Sequence, residues 1–219
     1  LGGRMPATRR SELVRWARGN GAWVIEDDYD GELRYDVAPL PLLAALGPDV
    51  VIHLGTSSKI ISPTLGVGWL VAPPDATSAV VAYRETAGAS PSLAAQRVLT
   101  ALADSGDLSH HLRRLRRELA ARRDGVVQRL GAAGLDVLGD KAGAHVVVPL
   151  PDAEAEVRAV DTAARAGVRV DGLAQCFVGE PSLSGVTVGY AALATRDMLE
   201  SALPALARVL VTAAGGPPR

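Results

Sequence analysis

Apolar residues along this chain fall into two kinds of run: short continuous ones bounded by glycine, proline and polar clusters, and longer ones with helical spacing. From Ala7 to Gly19, Leu13, Val14 and Ala17 recur at helical spacing, and the stretch ends in Gly19-Asn20-Gly21, a helix stop. Ala22-Trp23-Val24-Ile25 predicts a strand buried on both faces, running into Glu26-Asp27-Asp28-Tyr29-Asp30. Past a connector holding Pro39, Pro41 and Pro48, Val50-Val51-Ile52-His53-Leu54 predicts a second buried strand, which leads into Gly55-Thr56-Ser57-Ser58-Lys59. Gly66 to Ala72 predicts a third, closed by Pro73-Pro74. Three such runs with helical connections imply an α/β layer with a mainly parallel sheet, in which ligands sit at the carboxyl ends of strands. Polar chemistry gathers at two of those ends.

The later half reads differently. Helices are predicted from Pro91 to Ala103 and from Leu108 to about Leu130, where Leu112, Leu115, Leu119 and Val126 share a face. Then follow a strand from His145 to Leu150, a helix from Ala153 to Ala166, strands at Val168 to Val170 and Val186 to Ala191, and a helix from Arg196 to Val211. That order predicts a small α+β lobe. The expected division is residues 1–106 as part of a large domain, 107–212 as an interlobe helix with a small C-terminal domain, and 213–219 as a disordered tail.

Composition narrows the function classes. With 219 residues and 48% hydrophobic content the chain can build a sizeable core. A net charge of −1 and a pI near 6.5 leave no whole-chain footprint for nucleic acid or a membrane surface. No apolar run approaches the roughly 18 residues that span a bilayer, and the opening residues do not read as a signal peptide. The single cysteine, Cys176, reads as a small buried hydrophobe, which fits a cytoplasmic setting. No spacing of metal ligands is evident. Lysine is scarce: Lys59 and Lys141 are the only two, so each is informative.

Lys59 follows a buried strand and three hydroxyl residues, and Ile60-Ile61-Ser62-Pro63 comes next, surroundings expected to desolvate its amine and favour attack on a carbonyl to form a Schiff base. A lysine reaching from a loop into solvent is the bland alternative. Thr56 and Ser58 offer hydroxyl donors for a phosphate, or caps for a turn. One strand earlier, Asp27 could meet the pyridine nitrogen of a bound cofactor and Tyr29 its phenolic oxygen or the lysine; otherwise they belong to an acidic loop, Glu26 to Asp30, that is solvated or caps a helix. The arginines from Arg113 to Arg123 read as a solvated or dimer-facing helix surface rather than a phosphate track, and His53 and His145 as strand residues without catalytic roles.

Three segments in order, Val24-Ile25-Glu26-Asp27-Asp28-Tyr29-Asp30-Gly31-Glu32-Leu33-Arg34-Tyr35, His53-Leu54-Gly55-Thr56-Ser57-Ser58-Lys59-Ile60-Ile61-Ser62-Pro63 and Gly68-Trp69-Leu70-Val71-Ala72-Pro73, resemble the aminotransferase-like domain of MocR/GabR-type transcriptional regulators of the GntR family. Gln96, His111 to Arg116, Arg122-Arg123-Asp124, Ala142 to His145 and Gly189-Tyr190-Ala191 follow the same pattern, so the resemblance covers nearly the whole chain. It implies the fold of type I pyridoxal-phosphate-dependent transferases: a large-domain portion followed by a small α+β lobe. It also implies pyridoxal 5'-phosphate held by Lys59 as an internal aldimine, Asp27 at the pyridine nitrogen, Tyr29 near the cofactor oxygen, and Thr56 and Ser58 among the cofactor-binding residues. A homodimer follows, as does DNA contact through a winged-helix domain expected, with the first part of the large domain, ahead of Leu1.

Two positions depart from the pattern. Gly66 stands where an arginine for the cofactor phosphate is usual, and Thr187 where an arginine for the substrate carboxylate is usual. The expected function is therefore the sensing and dimerising domain of a regulator whose effector is pyridoxal phosphate or a small amino compound. A working aminotransferase and a scaffold that binds no cofactor are the alternatives.

Overall fold

The computed structural model describes residues 5–35, 41–192 and 194–216, which form two compact units divided between Leu115 and Arg116. The dividing line falls inside a long helix rather than at its start. In the first unit, helix α1 (Ala7–Asn20) ends at Gly21, whose left-handed φ of 59° lets its N–H return to the carbonyl of Ala17. Strands β1 (Val24–Asp28) and β2 (Val51–Thr56) pair in parallel, with Glu26 opposite His53, Asp27 opposite Leu54 and Asp28 opposite Gly55. Between them lies the short helix α2 (Leu43–Leu46). Strand β3 (Gly68–Val71) pairs antiparallel with β2, which is central in the order β1-β2-β3. The mainly parallel sheet expected from sequence is thus half parallel among these strands. The link from β2 to β3 is too short for a parallel crossover and instead turns back through a single 3-10 turn, Pro63–Leu65.

One face of this sheet is covered. Val14, Leu43 and Val51 are buried together, with Leu13, Val24, Ala44 and Val50 packed around them. The other face is open: Ile25 is 66% exposed, and Asp27 alternates onto the same side. The strand expected to be buried on both faces is therefore buried on one. Helices α3 (Pro74–Ala87) and α4 (Leu93–Asp104) follow, and α5 (Asp107–Ala132) runs across the unit boundary. No residue of α4 is fully buried, although Ser92 caps it by accepting from Ala95 N at 3.3 Å.

The second unit closes on itself. Strands β4 (His145–Pro149), β5 (Asp171–Gly172) and β6 (Gly185–Gly189) form an antiparallel sheet in the order β4-β6-β5. Helices α6 (Ala153–Arg165) and α7 (Arg196–Ala213) bring Ala155, Ala159, Leu199, Leu203 and Leu210 into a core with Val146, Val148, Val186 and Val188. Asp152 caps α6 through Ala155 N at 2.7 Å, and Thr195 caps α7 through Met198 N at 3.3 Å. Several expectations shift here. The strand placed at 168–170 pairs instead at Asp171–Gly172. Cys176 is exposed, because it ends a 3-10 turn whose buried member is Leu173. Residues 213–216 are structured, with Ala213 closing α7 and Gly216 N donating to Val211 O at 2.9 Å; the remaining 217–219 of the expected tail lie outside the described residues. Among the described residues no helix is long and apolar enough to cross a membrane.

Candidate functional site

Parallel pairing of β1 and β2 brings two sequence-predicted groups to neighbouring strand ends. Asp27 leaves β1 opposite Leu54, and two residues on is Tyr29; β2 runs past Gly55 into Thr56, Ser58 and Lys59. Adjacent strands lie about 4.8 Å apart, so both clusters occupy the same carboxyl edge. Gly55 is needed there, since a Cβ would run into the Trp69 indole on β3. At Gly31 a Cβ would meet the Asp28 carboxylate, which would have to turn aside.

The three hydroxyl residues divide their work. Ser57 is fully buried and structural: its N–H and its hydroxyl both donate to the carbonyl of Val67, at 2.9 and 2.7 Å. Thr56 and Ser58 turn to each other. Thr56 Oγ1 donates to Ser58 Oγ at 3.0 Å and accepts from Ser58 N at 3.1 Å, forming a compact hydroxyl pair beside the lysine. Lys59 is exposed and makes no hydrogen bond or ion pair among the described residues, so the desolvation expected from its apolar neighbours is not supplied by them. Tyr29 is 44% exposed, and the charge of Asp30, followed by partial burial and the charge of Asp27, raises its phenol above the ordinary range. It is a hydroxyl donor at neutral pH.

A second cluster, on the covered face, went unnoticed in the sequence. Glu26 and His53 are register partners, and the Glu26 carboxylate accepts from Leu43 N at 2.8 Å, Ala44 N at 3.2 Å and an Arg10 guanidinium nitrogen at 2.9 Å, with His53 Nδ1 at 3.3 Å. Burial pushes this carboxyl up, but the two backbone donors, His53 and Arg10 outweigh it and hold it below the usual carboxylate range. Strand pleating puts Glu26 and Asp27 on opposite faces, so the network that anchors Glu26 also fixes the backbone presenting Asp27.

In the second unit the last arginines of the run are not part of the solvated or dimer-facing surface expected of it. Arg122 and Arg123 are buried. Arg122 donates to Glu118 at 2.8 Å and to the Tyr190 carbonyl at 3.3 Å, and Arg123 to the carbonyls of Gly139 and Asp140 at 2.7 and 3.1 Å. Buried backbone carbonyls need donors, and a planar guanidinium supplies several from one side chain. The two departures also have a place. Gly66 has a left-handed φ of 62°, a conformation an arginine would adopt only with strain, and Thr187 lies on β6 paired with Val147 and Asp171. Among the described residues no group of three His, Cys, Asp or Glu side chains gathers in a way that could hold a metal.

The polar groups at the carboxyl edge suit a planar, phosphorylated aldehyde: an amine, a carboxylate on the neighbouring strand, a phenol, and a hydroxyl pair. Comparison with known proteins points the same way. The family model described as aminotransferase class I and II matches residues 5–206. The chain is 37% identical over 189 residues to the HTH-type pyridoxine biosynthesis transcriptional regulator PdxR of Corynebacterium glutamicum, covering 86% of this chain and 42% of that one. It is 31% identical over 204 residues to the probable rhizopine catabolism regulatory protein MocR of Rhizobium meliloti, covering 91% of this chain and 41% of the relative. The chain thus spans less than half the length of each regulator. Among solved structures, LysN, an alpha-aminoadipate aminotransferase from Thermus thermophilus complexed with N-(5'-phosphopyridoxyl)-L-leucine, superposes with a TM-score of 0.88 at 25% identity, over 97% of this chain and 56% of that one.

Proposed function

The chain belongs to the aminotransferase class I and II family, and we propose that it is the effector-sensing, dimerising part of a pyridoxal-phosphate-dependent transcriptional regulator. The observation that carries the reading is the pairing of extended similarity to HTH-type regulators with a lysine, a carboxylate and a hydroxyl pair at one strand edge. Lys59 is the amine that would hold the cofactor, Asp27 the carboxylate that would keep its pyridine nitrogen protonated, and Tyr29 the phenol that would donate to its ring oxygen. Thr56 and Ser58 would donate to its phosphate. When bound, the group supplies an electrophilic aldehyde on an electron-withdrawing ring. With Gly66 in the arginine's usual place, this chain would offer the phosphate the Thr56 and Ser58 hydroxyls without that guanidinium, which favours reversible occupancy. Thr187 offers no bidentate grip on a substrate carboxylate, which favours sensing over turnover.

In this reading the protein is a cytoplasmic homodimer that reaches DNA through a winged-helix domain outside the chain, and pyridoxal phosphate or its adduct with a small amino compound shifts the balance between two arrangements by binding one of them more tightly. The test is DNA occupancy by the full-length protein on a fragment spanning the promoter beside its own gene. Pyridoxal phosphate is expected to change that occupancy for wild type and not for Lys59→Ala. Sustained turnover of an amino acid with a keto acid would favour a working aminotransferase instead. A DNA response indifferent to pyridoxal phosphate would favour a scaffold without cofactor.

A further inference from the structure

We infer that His111 is a positioning residue for Lys59, acting through a hydrogen bond to the carbonyl of Ile60. This rests on reading Lys59 as the cofactor lysine. Residues 57–61 form one helical turn, closed by Ile61 N donating to Ser57 O at 2.9 Å. Before the lysine, the turn is anchored by buried Ser57, which gives both its donors to Val67 O. After it, Ile60 is buried, and among the described residues no backbone N–H donates to its carbonyl. The residue three positions on is Pro63, which has no N–H, and four positions on is Thr64, whose N–H is already given to Ser62 Oγ at 3.2 Å.

His111, in the first turns of α5, supplies the missing donor: its Nε2 lies 2.7 Å from Ile60 O. A carbonyl only accepts, so Nε2 carries the proton. The contact joins residues 51 apart in sequence. Lys59 makes no hydrogen bond of its own among the described residues, so its backbone is the part of it that hydrogen bonds to neighbouring residues hold in place. That backbone is held at two points, Ser57 and Ile60. Removing the second lets the peptide after Lys59 rotate, and a loosened amine meets an aldehyde in the right geometry less often.

The experiment titrates the full-length protein with pyridoxal phosphate, following the visible absorption of the lysine-bound chromophore and its pH profile, for wild type, His111→Ala and His111→Gln. His111→Ala is expected to weaken binding about tenfold and to displace the pH profile, the size expected for losing one hydrogen bond to a buried carbonyl. His111→Gln, whose amide still donates, is expected to recover most of both. If His111→Ala does not fold, His111→Phe, which keeps a ring and removes the donor, is compared with His111→Gln. Titration and pH profile equal to wild type without the donor, or no recovery in His111→Gln, overturns the inference. If wild type itself develops no such absorption, the Lys59 reading fails and takes the inference with it; wild-type absorption untouched by the His111 variants overturns the positioning role alone.

Discussion

The two units of the chain differ in how completely their sheets are covered. In the C-terminal unit, Val146, Val147 and Val148 on β4 are all at most 1% exposed, and α6 and α7 close the core. In the N-terminal unit, α1 and α2 cover one face only, while Trp23 and Ile25 remain 56% and 66% exposed. The candidate chemistry belongs to the second kind of surface, since Asp27 shares its face with Ile25. A closed sheet is a stability element; a sheet left open beside its carboxyl ends leaves room for a ligand and for further polypeptide.

The contrast can be broken by mutation. Leu210→Ala empties a fully buried position in the closed unit and is expected to cost about 2–5 kcal/mol in denaturant unfolding of the full-length protein. Ile25→Ala, read in the same way, is expected to stay within about 0.5 kcal/mol. Equal costs in this chain would erase the distinction between the units. On the covered face of the open unit, Glu26→Ala strands Arg10 and two backbone donors and is expected to cost about 3 kcal/mol.

The pH dependence of that contribution has a definite sign. The folded carboxyl of Glu26 is held below its unfolded value, so its stabilisation is present above the unfolded range and is lost as pH falls through the folded one. Stability measured from neutral pH downward should converge between wild type and Glu26→Gln; a gap that widens on acidification would contradict the network. The smallest effect lies on the surface. Arg18 hydrogen-bonds Asp49 at 2.6 and 2.8 Å and holds its carboxyl at about 2, so its modest stabilisation disappears between roughly pH 4 and that value. An NMR titration of Arg18→Ala should return Asp49 to the ordinary range.

What could be read from sequence was periodic or local. The helical spacing around Val14 and Leu119 located α1 and α5, and the polar ends of two apolar runs brought Asp27 and Lys59 forward as a pair. Helix α3 escaped because Pro73-Pro74 reads as a terminator, whereas Pro74 occupies the first turn, where a missing N–H costs nothing. The direction of β3 depends on the length of its connection and leaves no mark in its composition. Arg122, Arg123 and His111 escaped for a common reason: their acceptors are main-chain carbonyls, and every residue carries one, so no residue type announces the contact.

The proposed function turns on Lys59. The most direct measurement is borohydride reduction of the full-length protein after incubation with pyridoxal phosphate, followed by peptide mapping by mass spectrometry. A single stoichiometric phosphopyridoxyl adduct on Lys59, absent from Lys59→Ala and weakened in Asp27→Asn, is the expected result. An adduct at Lys141 or spread over other amines, with Lys59 unmodified, would contradict it.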